Sequence, residues 1–167
     1  LPADVSFSKI LTPKSRELTD VFYRLVRGRD FILIDSAAGL GREAKAAIEA
    51  GDETLIVTNP ELPALTDALK VVKLAEKSGT KVLGVVLNRV GACKYEMRRE
   101  DVEDFLGAPV IGTVSEDRAV QEAIAKRNPV VLHKPRAKAS HQIKSIAASL
   151  IGFEYRYSIF SRRFSWL

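Results

Sequence analysis

Asp35 ends the apolar run Phe31-Ile32-Leu33-Ile34 and is followed by Ser36, Ala37, Ala38, Gly39 and Leu40. A short apolar run that stops at a carboxylate predicts a strand over Phe31–Asp35, buried on both faces, with the acid at its carboxyl end. Open α/β sheets place their ligands at that end. A carboxylate there can hold Mg²⁺ directly or through its water shell. The small residues after it let a backbone loop approach a phosphate closely. A strand-end aspartate can equally cap the next helix. The motif Gly-x-x-x-x-Gly-Lys-Ser/Thr, the usual companion of such a strand, occurs nowhere in the 167 residues. Other chemistry is sparse. Cys93 is the single cysteine, and His133 and His141 are too few and too isolated for a triad or a metal site. Asn88 reads as a turn residue before Arg89, and Glu116-Asp117 as acids at the positive end of a following helix.

The elements that must position these groups alternate along the chain. Ser15–Arg27 has helical spacing, stopped by Gly28. After Phe31–Asp35 the pattern predicts a small-residue helix over Arg42–Ala50, a strand over Thr54–Thr58 and a helix over Pro63–Ser78. In that helix Leu65, Ala68, Leu69, Val72 and Ala75 repeat at helical spacing. A strand over Val82–Asn88, a short charged helix near Met97–Leu106, a strand over Pro109–Val114 and a helix over Asp117–Lys126 follow. Val130–Leu132 reads as a last short strand or extended run, and Ser140–Ile151 as a last helix. Strands separated by helices imply βαβ units: an α/β fold with a doubly wound, mostly parallel sheet and helices on both faces.

Composition excludes some classes. The chain is 46% hydrophobic and 28% charged, as in ordinary globular proteins, and no apolar run approaches the length of a membrane span. One thiol cannot form an intrachain disulfide, and the start Leu1-Pro2-Ala3-Asp4-Val5 lacks the form of a secretory signal. A cytoplasmic location is the simplest expectation. Because the chain opens on Leu, a fragment or a processed product is also expected. The net charge of +5 is uneven: from Lys126 onward there are nine Lys/Arg and one acid, Glu154. Such asymmetry points to an anionic surface, either membrane or nucleic acid.

Four motifs fall in order on successive strand ends. They are Asp35-Ser-x-Ala-Gly-Leu40, Thr58-Asn-Pro-Glu61, Val86-Leu-Asn-Arg89 and Val110-Ile-Gly-x-x-x-Glu116-Asp117. Together, over about residues 1–151, they resemble the MinD/ParA family of P-loop ATPases, and most nearly its archaeal MinD-like members. The resemblance implies a partial P-loop NTPase fold, with ATP and Mg²⁺ as cofactors of the complete domain. Carried over by position, Asp35 matches the Walker B aspartate that holds Mg²⁺, through water. Ser36–Leu40, with Ser36 and Gly39, match the loop that senses the γ-phosphate. Asn88, beside Arg89, matches the amide that reads the adenine edge, and Val114, Ser115, Glu116 and Asp117 match the loop packed on the base. The family commonly has proline where this chain has Ser115. The phosphate loop of the family lies N-terminal to the position matching Leu1, so the chain alone is expected neither to bind ATP tightly nor to hydrolyse it.

The leading functional expectation is therefore part of a MinD-like ATPase for cell-division site placement or spatial positioning. Residues 1–151 would be the C-terminal part of the ATPase domain, and residues 152–167 a basic aromatic tail. In the tail, Phe153, Tyr157, Phe160, Phe164 and Leu167 share a helical sector, as in an interfacial membrane helix. Phe153, Tyr155, Tyr157 and Ile159 also alternate as in a strand, and an unstructured end is the third reading. The implied partners are ATP, a second copy in a homodimer, an anionic membrane surface through 153–167 and a regulatory protein. The location is then cytoplasmic, or peripheral on the inner face of the membrane. A non-enzymatic module binding a membrane or a partner fits the missing phosphate loop. A ParA-type DNA segregation protein would use the basic C-terminal quarter on phosphates, though the tail's aromatics favour lipid over DNA. Iron–sulfur carriage is disfavoured by the single cysteine.

Overall fold

The structure, a computed structural model, describes residues 29–37 and 39–155. Its elements are α1 (Arg42–Ala50), β1 (Glu53–Thr58), α2 (Leu62–Ser78), β2 (Lys81–Val90), α3 (Arg99–Leu106), β3 (Val110–Ser115), α4 (Arg118–Ala125), α5 (Val130–His133) and α6 (Lys138–Leu150). The described strands form one sheet in the order β1-β2-β3, with β2 parallel to β3. A helix joins each strand to the next, as parallel neighbours require. The α/β reading holds, and most element boundaries fall within two residues of the sequence expectation.

Contacts divide the described residues into two compact units, one of residues 29–37, 39–54 and 70–82, the other of residues 55–69 and 83–155. In the first, α1 buries Ala44, Ala46 and Ile48. The Thr80 hydroxyl donates to the Ile48 carbonyl at 3.0 Å, and Lys81 pairs with Glu53 at 2.8 Å. In the second, Val86 of β2, Val114 of β3 and Ala139 of α6 form a buried cluster, with Leu55, Ile111, Val120 and Ile146 packed against it. Gly112 lets α6 lie close on β3, since a Cβ there would stand 2.4 Å from Ile146 Cγ1. Ala119, Ala123 and Val130 form a second cluster under α4 and α5. The buried Ser140 hydroxyl closes the corner on the carbonyls of Lys134 (2.7 Å) and Val130 (3.0 Å).

Two sequence expectations are corrected. Phe31–Asp35 is not a strand: residues 31–37 have no regular structure, and Phe31 and Leu33 are 65% and 93% exposed. An apolar run supplies the side chains of a buried strand but not the neighbouring N–H and C=O groups that complete one. No described strand pairs with this segment. Val130–Leu132 is not extended either, but part of α5. Pro129, at φ −54°, starts the turn, His133 N donates to Pro129 O and Lys134 N to Val130 O, both at 2.8 Å. Burial of Val130 on Ala119 and Ala123 outweighs the strand preference of two adjacent valines. The expected helix over Ser15–Arg27 and the tail beyond Tyr155 lie outside the described residues.

Candidate nucleotide site

The carboxyl ends of β2 and β3 are joined by an irregular register. Leu87 pairs with Thr113 and Val90 with Ser115, so β2 carries one residue more than β3 across this interval. That is a β-bulge at Asn88-Arg89, and Arg89 takes a left-handed φ of 58°. A non-glycine residue there is strained, and such strain persists only where its surroundings hold it. Here the Arg89 guanidinium donates to Glu116 Oε2 at 2.7 Å, and Glu116 N donates to Val90 O at 2.9 Å. The hydrogen bond from Arg89 holds the Glu116 carboxyl below the usual carboxylate range, helped by Gln121, which reaches Oε1 at 3.2 Å.

Asn88, in this interval of β2, has no register partner on β3. Asn88 is half-buried and makes no side-chain hydrogen bond among the described residues, so its amide keeps one acceptor and two donors. Beside it, Ser115 is gripped by Gln142 of α6, which accepts from Ser115 N at 2.9 Å and donates to its hydroxyl oxygen at 3.2 Å. Gln142 and Gln121 support the rim and escaped the sequence reading. Gln142 is 27 residues from Ser115, and no motif marks it. Val114 faces the core instead, in the cluster with Val86 and Ala139.

Asp117 performs the helix-capping role that its position suggests, and does so twice. Oδ1 accepts from Ala119 N at 2.8 Å, at the start of α4, and Oδ2 accepts from Ala139 N at 3.2 Å, in the first turn of α6. These bonds, Ala119 first, hold its carboxyl below the usual range. The stabilisation is therefore complete above the unfolded value of about 4 and is lost as the pH falls through the lower, folded value. Asp117→Ala is expected to lower stability at pH 7 by about 1–2 kcal/mol. In urea unfolding repeated from pH 7 downward, the gap between variant and parent should close below about pH 4. A gap constant with pH would refute the double cap.

The structure thus brings Asn88, Arg89, Ser115, Glu116 and Asp117 together at one rim. Asp35, Ser36 and Gly39 belong to the other unit, where all three are exposed and the Ser36 hydroxyl donates to Ala37 O at 3.1 Å. No described group of three or more His, Cys, Asp or Glu could hold a metal by itself. A lone exposed carboxylate suits Mg²⁺, which is usually bound through one or two carboxylates, several waters and a substrate's phosphates. Asn88 thus offers one acceptor and two donors, and Asp35 one exposed carboxylate.

Comparison with known proteins bears on the family. Residues 13–151 match the ParA family model, described as NUBPL iron-transfer P-loop NTPase. The chain belongs to the MinD/ParA family of P-loop NTPases. An uncharacterised ATP-binding protein of Methanocaldococcus jannaschii is 34% identical to this MinD/ParA chain over all 167 residues. The crystal structure of the Pyrococcus furiosus cell division ATPase MinD matches 89% of the chain at 36% identity, with a TM-score of 0.82. The septum site-determining protein MinD of Pyrococcus horikoshii, complexed with Mg-ADP, matches the same share at 32% identity and a TM-score of 0.82. These likenesses bear out the P-loop NTPase fold class. The chain spans 63% of the length of the first relative and 61–62% of the two MinD structures.

Proposed function

We propose that residues 1–151 are the C-terminal part of a MinD-like ATPase acting in cell-division site placement or spatial positioning, and that they supply the base-binding half of its nucleotide site. The observation that carries this reading is the bulge at Asn88-Arg89, which leaves a free amide beside the Ser115–Glu116 rim. In this reading Asn88 donates to and accepts from adenine in one plane, Arg89 and Glu116 lock the bulge, and Ser115 and Asp117 fix the rim. Asp35 holds Mg²⁺ through its water shell, and Ser36 and Gly39 give the following loop its close approach to a phosphate. When bound, Mg²⁺ neutralises charge on the phosphates. ATP-dependent dimerisation, a regulatory protein partner and membrane association through residues 152–167 complete the proposal, on the family resemblance. No described helix is long and apolar enough to cross a membrane. Iron chemistry is set aside because Cys93 is the single thiol among the 167 residues, where iron–sulfur clusters take several.

A second reading is a module that binds partners without turnover. Calorimetry separates the two. The chain is expected to bind Mg-ATP and AMP both more weakly than micromolar (about 8 kcal/mol), because no Gly-Lys loop to cradle the phosphates is among the 167 residues. Micromolar Mg-ATP binding with a strong preference over AMP would overturn this division of the site. Binding of neither nucleotide at millimolar concentration favours the non-catalytic module.

A further inference from the structure

The corner formed by α4, α5 and the start of α6 has a composition unlike the rest of the surface. From Ala123 to Phe153 the sequence contains no Asp or Glu. Lys126, Arg127, Lys134, Arg136 and Lys138 are all exposed. The last acid before them, Glu122, is paired with Lys134, which offsets both charges, and the Asp117 carboxylate is engaged by the backbone N–H groups that start α4 and α6. Among these cations stand two aliphatic side chains, Ile124 at 72% exposure and Leu132 at 71%. Lys134, Pro135, Arg136 and Ala137 line a shallow depression at the α5–α6 junction.

Cations with isolated aliphatic side chains between them match a surface that is anionic outside and apolar beneath. Nucleic acid would take the charge but leave Ile124 and Leu132 without a use, and from Leu106 to Gly152 there is no Phe, Tyr or Trp on which a base could stack. The course of the chain adds a second argument. After α6 it reverses, with Phe153 N donating to Ala148 O at 2.9 Å, and the Tyr155 hydroxyl lies 3.0 Å from His141 Nδ1, in the first turn of α6. The described chain therefore ends beside the cationic corner, and the sequence that follows carries Arg156, Arg162 and Arg163.

We infer that the α4–α5–α6 corner is a docking surface for anionic phospholipid, distinct from the tail and acting beside it. Its lysines and arginines meet headgroup phosphates while Ile124 and Leu132 enter the acyl boundary. The test is co-sedimentation of the full chain with phosphatidylglycerol vesicles, phosphatidylcholine vesicles and, separately, duplex DNA. The parent should pellet with the anionic vesicles alone. Lys126→Glu with Arg136→Glu, both on exposed side chains, should weaken that binding roughly tenfold or more with an unchanged melting temperature. Ile124→Gln should lower the fraction retained at high salt. A tail variant, Arg162→Glu with Arg163→Glu, should keep part of the binding, which separates this surface from the tail. Undiminished vesicle binding by the corner variant overturns the inference and leaves the tail as anchor. Loss of DNA binding in that variant, with no vesicle binding by the parent, overturns it in favour of nucleic acid.

Discussion

Gly84→Ala is expected to destabilise the chain by about 3 kcal/mol or more, the sum of overpacking and backbone strain. Gly84 has φ +151°, and a Cβ on it would stand 2.5 Å from Ile111 Cγ2 and 2.7 Å from the Pro109 carbonyl oxygen. The side chain could rotate away, but the carbonyl cannot. It accepts from Val85 N at 2.8 Å, and that bond lies beside the first register pair of β2 with β3, Val85 with Val110. Glu103 of α3 holds the same strand start by accepting from Val110 N at 2.8 Å. The melting temperature should fall by roughly 10 °C. A fall within about 0.5 kcal/mol of zero, the range of neutral surface changes, would show that β2 and β3 do not approach as described.

Asn88→Ala is expected to weaken adenine nucleotide binding by roughly tenfold to a hundredfold, the worth of about 1–3 kcal/mol for a paired donor and acceptor. The folded state should be almost unaffected, because the Asn88 side chain makes no hydrogen bond among the described residues. AMP titrations followed by NMR, with GMP as the control, give the affinity and the base preference. Loss of the preference with a preserved melting profile fits a base-reading amide. An unchanged affinity removes Asn88 from the site.

Much of the fold could be read from the chain because it rests on periodicity. Leu65, Ala68, Val72 and Ala75 announce α2 and are buried in it. The valines of Val82–Val86 announce β2. The sequence was misleading where pairing partners decide the outcome. Phe31–Ile34 has a strand's composition but no described neighbour, and Val130-Val131 follows a proline that starts a helical turn. The chemistry of the rim was legible only in part. Asn88, Ser115 and Glu116 stand out through their motifs. The extra residue in β2, the left-handed Arg89 and the grip of Gln142 on Ser115 arise from three-dimensional register, which no local pattern encodes. Asp117 carried a helix-start signal, and the structure shows two helices served by that one carboxylate.

The central claim is that the carboxyl ends of β2 and β3 form a rim for an adenine base. The most direct measurement is a two-dimensional amide NMR titration of the full chain with millimolar AMP. The claim predicts that the side-chain amide of Asn88 and the backbone amides of Arg89, Ser115 and Glu116 shift together and saturably, while those of α1 stay fixed. Shifts confined to other parts of the chain, or equal shifts with CMP, would contradict it.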